Sequence, residues 1–496
     1  MTDAAAWVPI ALIAVVVFRS LYDLVKQWGR FSRTFWAAII TELLHCLASY
    51  SMLSYLIIYL AEDLGFGDLR ASAMYGTMLF VGYFLPILIG ALADRYGFKE
   101  TMAVSLVIIT AGYFLASRVT SYPSVFAALM VIALGGAVMK PVIAGTVKAA
   151  TTEGTRTLGF SIYYMIINVG SFLAPFLANS VRVSTGHPAF IFVACGVVET
   201  SAILVTVFMF KNLPVEASAK AKSLAAVLGE MVLVLGNARL MMTAAGLAAL
   251  YLLRDEPLFK GQDIWVAMGA WVILNVLADV YFPILEHRFG RPFSHSLLQR
   301  QRLGDGRLLA FILIFSGVWA LYSQIWTNIP LYITSLDPAM KAHIEYFQAV
   351  DPIMIVLFQV LIGKWMSNYR PLPSMVLGIV IASVAVSTVS LFGENLGAWA
   401  VSLSLVIWSV GEMMFSPRMV EYVSVIAPKD KLALYIGYGF LPFAIGFGVG
   451  PSAGTHLMHF FAAMGHPEWV WYGFGLWSLL VAGALWIYDK VVKSAE

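Results

Sequence analysis

Long apolar runs dominate the chain. Six lie in its first part and six in its last part, each close to the roughly 20 residues that a helix needs to cross a bilayer. The pattern predicts an all-α polytopic membrane protein of two six-helix bundles, whose spans we number in chain order. The runs cover residues 35–60, 71–93, 99–118, 123–147, 158–181, 187–210, 308–334, 345–366, 372–393, 397–417, 433–458 and 467–489.

Two segments fall outside this six-plus-six pattern. Residues 213–306 contain two shorter apolar runs, and an even number of crossings keeps both bundles starting on the same side, so a linker with an inserted helical hairpin fits. Residues 1–33 hold an apolar stretch that Arg19 interrupts, which fits either an extra membrane helix or an interfacial one. The predicted domains are therefore 1–33, 34–212, 213–306 and 307–496.

Basic residues predict the orientation of the spans. Lysine and arginine collect in alternate loops, and such loops are cytoplasmic. The C-terminus lies on this basic-rich side, so we expect it in the cytoplasm. The basic-rich loops hold Arg95, Lys99, Lys148, Arg156, Lys211, Lys220, Lys222, Arg288, Arg291, Arg300, Arg302, Arg307, Lys364, Arg370, Arg418, Lys429, Lys431, Lys490 and Lys493.

Composition narrows the class of protein. Of 496 residues, 60% are hydrophobic and 12% charged, which excludes a soluble globule. The net charge of +3 is too small to indicate nucleic-acid binding. Cys46 and Cys195 both lie in apolar runs and are expected to be packed thiols, not a disulfide. With no metal-ligand cluster, nucleophile constellation or phosphate loop in the sequence, we predict no enzyme, no metal and no organic cofactor.

One sequence frame occurs in both halves. Glycine precedes proline by six residues in Gly135–Pro141 and again in Gly411–Pro417. The first copy carries Lys140 and the second Glu412, which suggests a two-fold repeated carrier with its site between the halves. A lysine at mid-membrane costs about 2.5–3.5 kcal/mol and needs a partner. Lys140 could bind a substrate carboxylate, pair with Glu412 until substrate or a proton breaks the pair, or form a permanent buried ion pair.

Other charged groups also fall inside predicted spans. Glu42 and His45 lie one turn apart on the first span, so they could exchange a proton, or instead make structural hydrogen bonds between helices. Asp351 precedes Pro352 in the eighth span, where proline leaves a polar notch, and functional and structural readings are balanced. Glu199 in the sixth span and Asp279 in the hairpin are weaker candidates.

Polar and aromatic side chains accompany these charges. The fifth span offers Tyr163, Tyr164 and Asn168, and the seventh offers Trp319, Tyr322, Ser323, Gln324 and Asn328. Single aromatic residues in helical bundles pack as often as they bind. Together with the polar groups, they suit the wall of a pocket for an amphipathic ligand.

The turn after the second span carries a known signature. It reads Gly90, Asp94, Arg95, Gly97, Phe98 and Lys99, which resembles the Gly-x-x-x-Asp-Arg-x-Gly-(Arg)-Lys motif of the major facilitator superfamily. With twelve spans in phase, the resemblance implies the major facilitator fold. It also implies that Asp94 and Arg95 cap helices and pair with neighbouring helix ends when the cytoplasmic side is closed.

A narrower resemblance rests on several segments together. The stretches at 135–141, 160–171, 319–324, 351–352 and 411–417 are similar to the proton-dependent oligopeptide transporters, whose bacterial members carry two extra helices between the halves. The resemblance implies that Lys140 helps to bind a peptide carboxylate, that Glu412 lies near the peptide amino group, and that Tyr164 and Asn168 line the pocket. It also implies a bacterial inner or plasma membrane protein.

The first span departs from that family. The family pattern is Glu-x-x-Glu-Arg-Phe-x-Tyr-Tyr, whereas here His45 replaces the second glutamate and Cys46 the arginine. Losing the arginine removes a bidentate carboxylate clamp. The seventh span has Ser323 where the family has an acid, and Asp351 replaces an asparagine. Proton coupling is therefore expected at Glu42, His45 or Asp351, with Glu412 as a further candidate.

These observations predict a secondary active transporter that works by alternating access. We expect a monomer in the lipid bilayer that couples protons to peptides or to peptide-like zwitterionic or anionic solutes. The predicted substrate-binding residues are Lys140, Tyr164, Asn168, Trp319, Gln324 and Glu412; the predicted gating or structural residues are Gly90, Asp94, Arg95, Gly97, Lys99, Pro141 and Pro417. One alternative is an exporter of drugs or lipophilic cations, because 22 methionines and 14% aromatic residues could line a permissive pocket. A remote alternative is a transporter-derived sensor or membrane enzyme.

Overall fold

The computed structural model describes most of both predicted bundles. It covers residues 28–86, 96–211, 306–366, 368–396, 398–427 and 438–495, and scattered positions between 246 and 288. The N-terminal stretch, most of the predicted hairpin with Asp279, and the motif residues Gly90, Asp94 and Arg95 lie outside the described residues.

The first half contains six α-helices in the described part of the chain. The N-terminus of α1 is capped by Ser32, whose Oγ accepts from the Phe35 amide at 3.2 Å. A π-helical turn, Tyr59–Asp63, continues α1, and a short 3-10 turn, Trp28–Arg30, precedes it. The helices are α1 Arg33–Ile58, α2 Asp68–Phe84, α3 Phe98–Ala116, α4 Tyr122–Ala149, α5 Glu153–Thr185 and α6 Phe190–Met209.

The second half repeats this order with a broken seventh span. A 3-10 turn at Ser323–Ile325 divides that span into two helices, and a 3-10 segment, Pro338–Ala349, leads into the eighth. The predicted eighth span therefore begins as a 3-10 segment and is α-helical only from Val350. The helices are α7 Gly306–Tyr322, α8 Asn328–Leu336, α9 Val350–Met366, α10 Pro371–Leu396, α11 Ala398–Ile426, α12 Leu441–Ala463 and α13 Val470–Ala495.

Packing inside each half follows one plan. In the first half, α1 packs on α5 and α6, and α3 packs on α4 and α6. In the second half, α7 packs on α12 and α13, and α10 packs on α11 and α13, which are the corresponding pairs. The halves meet where α2 contacts α12 and α5 contacts α9, again corresponding pairs. The contacts thus reproduce the two-fold repeat that the sequence frame suggested.

The described residues are helical, with no strand among them, as predicted. Ten of their helical segments are long and apolar enough to cross a membrane. The other two helices, α2 and α12, pack against each other between the halves. These findings confirm an all-α polytopic membrane protein.

Candidate functional site

The repeated frame forms a close helix contact in each half. A Cβ on Gly135 would lie 2.6 Å from Cγ1 of Ile109 in α3, and one on Gly411 would lie 2.5 Å from the Gly378 carbonyl oxygen in α10. Ser105 Oγ also donates to the Gly135 carbonyl at 2.7 Å. Both glycines therefore permit a close approach that a side chain would block.

Lys140 contacts a tyrosine and makes no ion pair with an acid among the described residues. Its ammonium donates to the Tyr83 hydroxyl at 3.1 Å and lies 4.2 Å from the centre of that ring. The predicted pair with Glu412 is absent from the described ion pairs, so the permanent pairing is wrong, whereas the switchable pairing stays a prediction for another conformation. The sequence contains the reason: Lys140 is five residues beyond its frame glycine and Glu412 only one, so they lie about one helical turn apart in the repeat.

His45 has a different partner from the predicted one. Its Nδ1 lies 2.7 Å from Glu199 Oε1 on α6, and both side chains are buried. Glu42 instead accepts from the Cys46 thiol at 3.7 Å, and its Oε2 is buried with no hydrogen-bond partner among the described residues. His45 thus makes a hydrogen bond between helices. Its partner is Glu199, which was a weaker candidate in the sequence analysis. Glu42 keeps His45 and Lys140 as electrostatic neighbours.

Asp351 and Glu412 form the acidic end of the site. Ser409 donates to Asp351 Oδ1 at 2.6 Å, and the Tyr322 hydroxyl lies 3.4 Å from Oδ2. Trp408 Nε1 donates to Glu412 Oε2 at 3.2 Å. The two carboxyl groups also interact with each other, and we call them the acid pair. Among the described ion pairs, none joins a lysine, arginine or histidine to either acid.

An aromatic wall joins the lysine to the acid pair. Tyr83 stacks on Phe443 with ring centres 5.4 Å apart and lies 5.1 Å from the Phe447 ring. Trp319 stacks on Phe443 at 3.9 Å. We define the aromatic wall as Tyr83, Trp319, Phe443 and Phe447. It crosses between the halves, since Tyr83 belongs to the first and the other three to the second.

The remaining predicted pocket residues divide into two groups. Tyr164 is 39% exposed, whereas Asn168 is buried and donates to the Tyr164 carbonyl at 3.0 Å. Gln324 is buried, and its amide donates to the Gly450 carbonyl at 3.0 Å and accepts from Asn328. The bond to Gly450 joins the seventh span to α12, and the bond from Asn328 lies within the seventh span, so a contact of Gln324 with substrate stays a prediction.

Two of the predicted gating residues of the motif, Gly97 and Lys99, lie in the described part of the turn before α3. Gly97 has a φ of +99°, a region that favours glycine, and it caps α3. Lys99 donates to the Val207 carbonyl at 3.0 Å near the end of α6. Pro141 and Pro417 lie inside α4 and α11.

A charged gate on the basic-poor side was missed by the sequence reasoning. Arg182 of α5 makes two hydrogen bonds to Glu345, at 2.6 and 2.9 Å, and the Glu345 side chain is fully buried. Asn179 donates to the same carboxylate at 3.1 Å. Lys341 bridges Glu62 and Asp63 at 2.8 and 2.9 Å. We call these six residues the outer gate, which closes the two halves at this end. The sequence signal for this gate was Glu345, an acid at the start of the predicted eighth span.

The described residues contain no group of three or more His, Cys, Asp or Glu side chains arranged to hold a metal ion. The candidate binding site consists of one ammonium group, one acid pair and an aromatic wall, and the buried Glu42 and the His45–Glu199 pair lie beyond it. These groups can recognise opposite charges at two separate positions.

Comparison with known proteins identifies the family. The family model described as "Major Facilitator Superfamily" matches residues 38–440. The chain belongs to the Major Facilitator Superfamily. This membership agrees with the fold, because both halves of the described chain repeat one six-helix plan.

Individual relatives of this major facilitator protein are more distant. It is 24% identical over 458 residues to "Dipeptide and tripeptide permease B" of Yersinia enterocolitica, covering 85% of this chain and 86% of the permease. It is also 24% identical over 514 residues to "Uncharacterized transporter YclF" of Bacillus subtilis, covering 96% and 98%. The predicted resemblance to the oligopeptide transporters is thus confirmed as a similarity in sequence.

Solved structures show the same fold. A crystal structure of a POT family transporter in complex with 5-aminolevulinic acid matches with a TM-score of 0.70 and 17% identity, covering 93% of this chain and 97% of that one. A peptide transporter POT in complex with sulfate matches with a TM-score of 0.68 and 19% identity, covering 93% and 95%. The major facilitator fold is therefore shown for this chain.

Proposed function

We propose that this protein is a proton-coupled symporter of small peptides or peptide-like zwitterions that works by alternating access. The observation that carries the proposal is the placement of opposite charges on opposite halves. Lys140 in the first half pairs with no carboxylate among the described ion pairs, and the acid pair in the second half pairs with no base there. A zwitterion supplies both missing partners at once.

The substrate position follows from these charges. The carboxylate of the zwitterion would bind the Lys140 ammonium, which Tyr83 holds. Its ammonium group would bind the acid pair, which Ser409, Trp408 and Tyr322 hold. Apolar side chains of the ligand would pack on the aromatic wall, and Tyr164 would border the pocket. The similarity to "Dipeptide and tripeptide permease B" supports this substrate class.

The outer gate supports alternating access. Its ion pairs join the first half to the second, since Arg182 and Glu62 belong to one and Glu345 and Lys341 to the other. Ser72 and Thr455 also join the halves, with their hydroxyl oxygens 2.6 Å apart. These contacts hold the basic-poor side closed, and rocking of the halves around the fixed site would have to break them.

Proton coupling balances the charge of the cycle. Two carboxyl groups close together away from water are less costly when a cation lies beside them, and the substrate ammonium would supply that cation. The proton that is carried together with the substrate would therefore be held elsewhere in the protein. Candidate sites for that proton are Glu42 and His45, which both interact electrostatically with Lys140.

Replacing Lys140 tests the proposal. Lys140→Ala should abolish carboxylate-dependent uptake of dipeptides into proteoliposomes and leave the thermal stability of the protein close to that of the wild type. Lys148→Ala is the matched control, because Lys148 is exposed and lies two turns further along the same helix. Unchanged dipeptide uptake by Lys140→Ala would contradict the proposal.

A second candidate function is export of lipophilic cations. The acid pair beside Tyr322, Trp408 and the aromatic wall favours it, because a cation binds to both carboxylates and aromatic faces. Binding of cationic ligands that depends on Glu412 and not on Lys140 would support export over symport.

A further inference from the structure

Helices α1 and α6 meet through three buried polar contacts. Thr41 and Thr206 share a hydrogen bond of 3.2 Å, and the Cys195 thiol donates to the Ala48 carbonyl at 3.1 Å. Between them, His45 Nδ1 lies 2.7 Å from Glu199 Oε1. Of these three contacts, only His45–Glu199 joins two ionisable side chains, an imidazole and a carboxyl group, both of which can change charge.

The Glu199 carboxyl group lies where an unpaired charge would be costly. Its side chain is fully buried, and its second oxygen has no hydrogen-bond partner in the part of the chain that the structure describes. An ionised carboxylate in such a place is costly unless a cation adjoins it. The group within reach that can supply this cation is the His45 imidazole, once it is protonated.

We propose that Glu199 and His45 are the proton-binding pair of this transporter. His45 carries the proton, and Glu199 is a positioning residue that holds the ring and stabilises its charged form. The inference rests on the proposed symport. It also gives a role in proton binding to Glu199 of the sixth span, an acid that is not among the coupling residues predicted from the sequence.

The surroundings of His45 contain few other charges. Lys140 of α4 and Glu42 of α1 act on it electrostatically, in addition to Glu199. Around those groups lie the neutral Tyr163 of α5, Cys46 of α1, and Tyr113 and Cys195 near Glu199. The cluster thus contains the carboxylates of Glu42 and Glu199, the ammonium of Lys140, and the His45 imidazole, which can accept a proton.

Counting charge links the proton to the substrate. With neutral His45, the carboxylates of Glu42 and Glu199 outnumber the Lys140 ammonium by one. Binding one proton at His45 Nε2 or Nδ1 brings the net charge of the cluster to zero. The imidazolium then competes with the Lys140 ammonium for the Glu42 carboxylate. The ammonium becomes available to a substrate carboxylate, so a proton bound first favours substrate binding. Release of the proton to the other side reverses each step.

Proteoliposomes containing the full chain can separate this inference from the proposed function. Two readouts are compared: counterflow of a labelled dipeptide without a pH gradient, and uptake driven by an inward proton gradient. Glu199→Gln should keep counterflow within about twofold of the wild type. It should lose the stimulation by the gradient, and the pH dependence of its counterflow should be flattened.

Thr206→Val is the matched control, because it removes the neighbouring polar contact between the same two helices. It should keep both readouts. His45→Gln gives an independent test if Glu199→Gln does not fold. It should likewise lose the gradient stimulation, and its counterflow should fall but stay measurable, because the carboxylates of Glu42 and Glu199 then always outnumber the Lys140 ammonium by one.

The outcomes are distinct. Gradient stimulation of the wild-type size in Glu199→Gln, or in His45→Gln, overturns the proton pair while leaving peptide symport in place. Absence of any dipeptide counterflow in the wild type overturns the proposed symport and, with it, the inference. Loss of both readouts in folded Glu199→Gln would mean a merely structural pair and also overturns the inference.

Discussion

At the scale of single residues, the ammonium end and the acidic end of the site differ in their neighbours. Lys140 lies on the face of Tyr83, whereas Glu412 lies beside a second acid, Asp351. The sequence could predict that both charges are buried, because each occurs inside an apolar run. It could not predict their partners, since these depend on which faces of packed helices meet. His45 shows the same limit: the one-turn spacing to Glu42 suggested a pair, but the ring contacts Glu199 on another helix.

Glu412→Gln tests the acidic end. It should raise the KM for dipeptides with a free amino group by about tenfold or more, because a hydrogen bond to a charged group contributes roughly 1.5–3 kcal/mol. Competition by N-acetylated dipeptides should change far less. Inhibition of labelled dipeptide uptake by each type of peptide measures the two effects.

Glu421→Gln is the control for this change. Glu421 lies on the same helix but pairs with Arg418, and its side chain is 46% exposed. Its removal should leave both peptide types unaffected. Equal weakening of free and acetylated peptides in Glu412→Gln would argue against an ammonium contact.

At the scale of elements, the repeated glycine-to-proline frame was the strongest signal in the sequence. The structure gives its physical basis, since Gly135 packs α4 on α3 and Gly411 packs α11 on α10. Helix positions follow directly from apolar runs of membrane length. The break in the seventh span and the 3-10 segment before α9 could not be predicted, because tertiary contacts stabilise them.

Two adjacent glycines test the helix contact. Gly135→Ala should destabilise the protein by about 1–3 kcal/mol, the usual cost of overpacking. Gly136→Ala should be neutral or stabilising, because no described neighbour lies within 4 Å of its added Cβ and alanine favours a helix over glycine. Thermal unfolding in detergent compares them, and equal melting temperatures would contradict the predicted contact.

At the scale of the whole molecule, the two halves correspond helix by helix and meet at the outer gate. The sequence predicted two bundles from the run pattern, and the packing of α2 on α12 and of α5 on α9 shows how they join. Arg182 and Glu345 could not be matched from the sequence alone, because they are 163 positions apart. The boundaries of the four predicted domains stay predictions.

A reversible cross-link tests movement at this gate. Ser72→Cys combined with Thr455→Cys should form a disulfide on oxidation, since the two hydroxyl oxygens are 2.6 Å apart. Dipeptide transport should stop when the bond forms and return after reduction, because the halves can no longer separate on this side. Each single cysteine variant should be insensitive to oxidation, as Cys46 and Cys195 are buried. Full transport by the oxidised double variant would contradict rocking of the halves.

The most direct test of proton-coupled symport is uptake of a labelled dipeptide into proteoliposomes under imposed pH and voltage gradients. We expect an inward proton gradient to accumulate the dipeptide above its equilibrium level, and a protonophore to abolish this accumulation. Amino acids and organic anions should compete less well, because neither class presents both charges with a peptide spacing. Dipeptide uptake that only equilibrates and ignores both gradients, or that is absent while organic cations are moved, would contradict proton-coupled peptide symport.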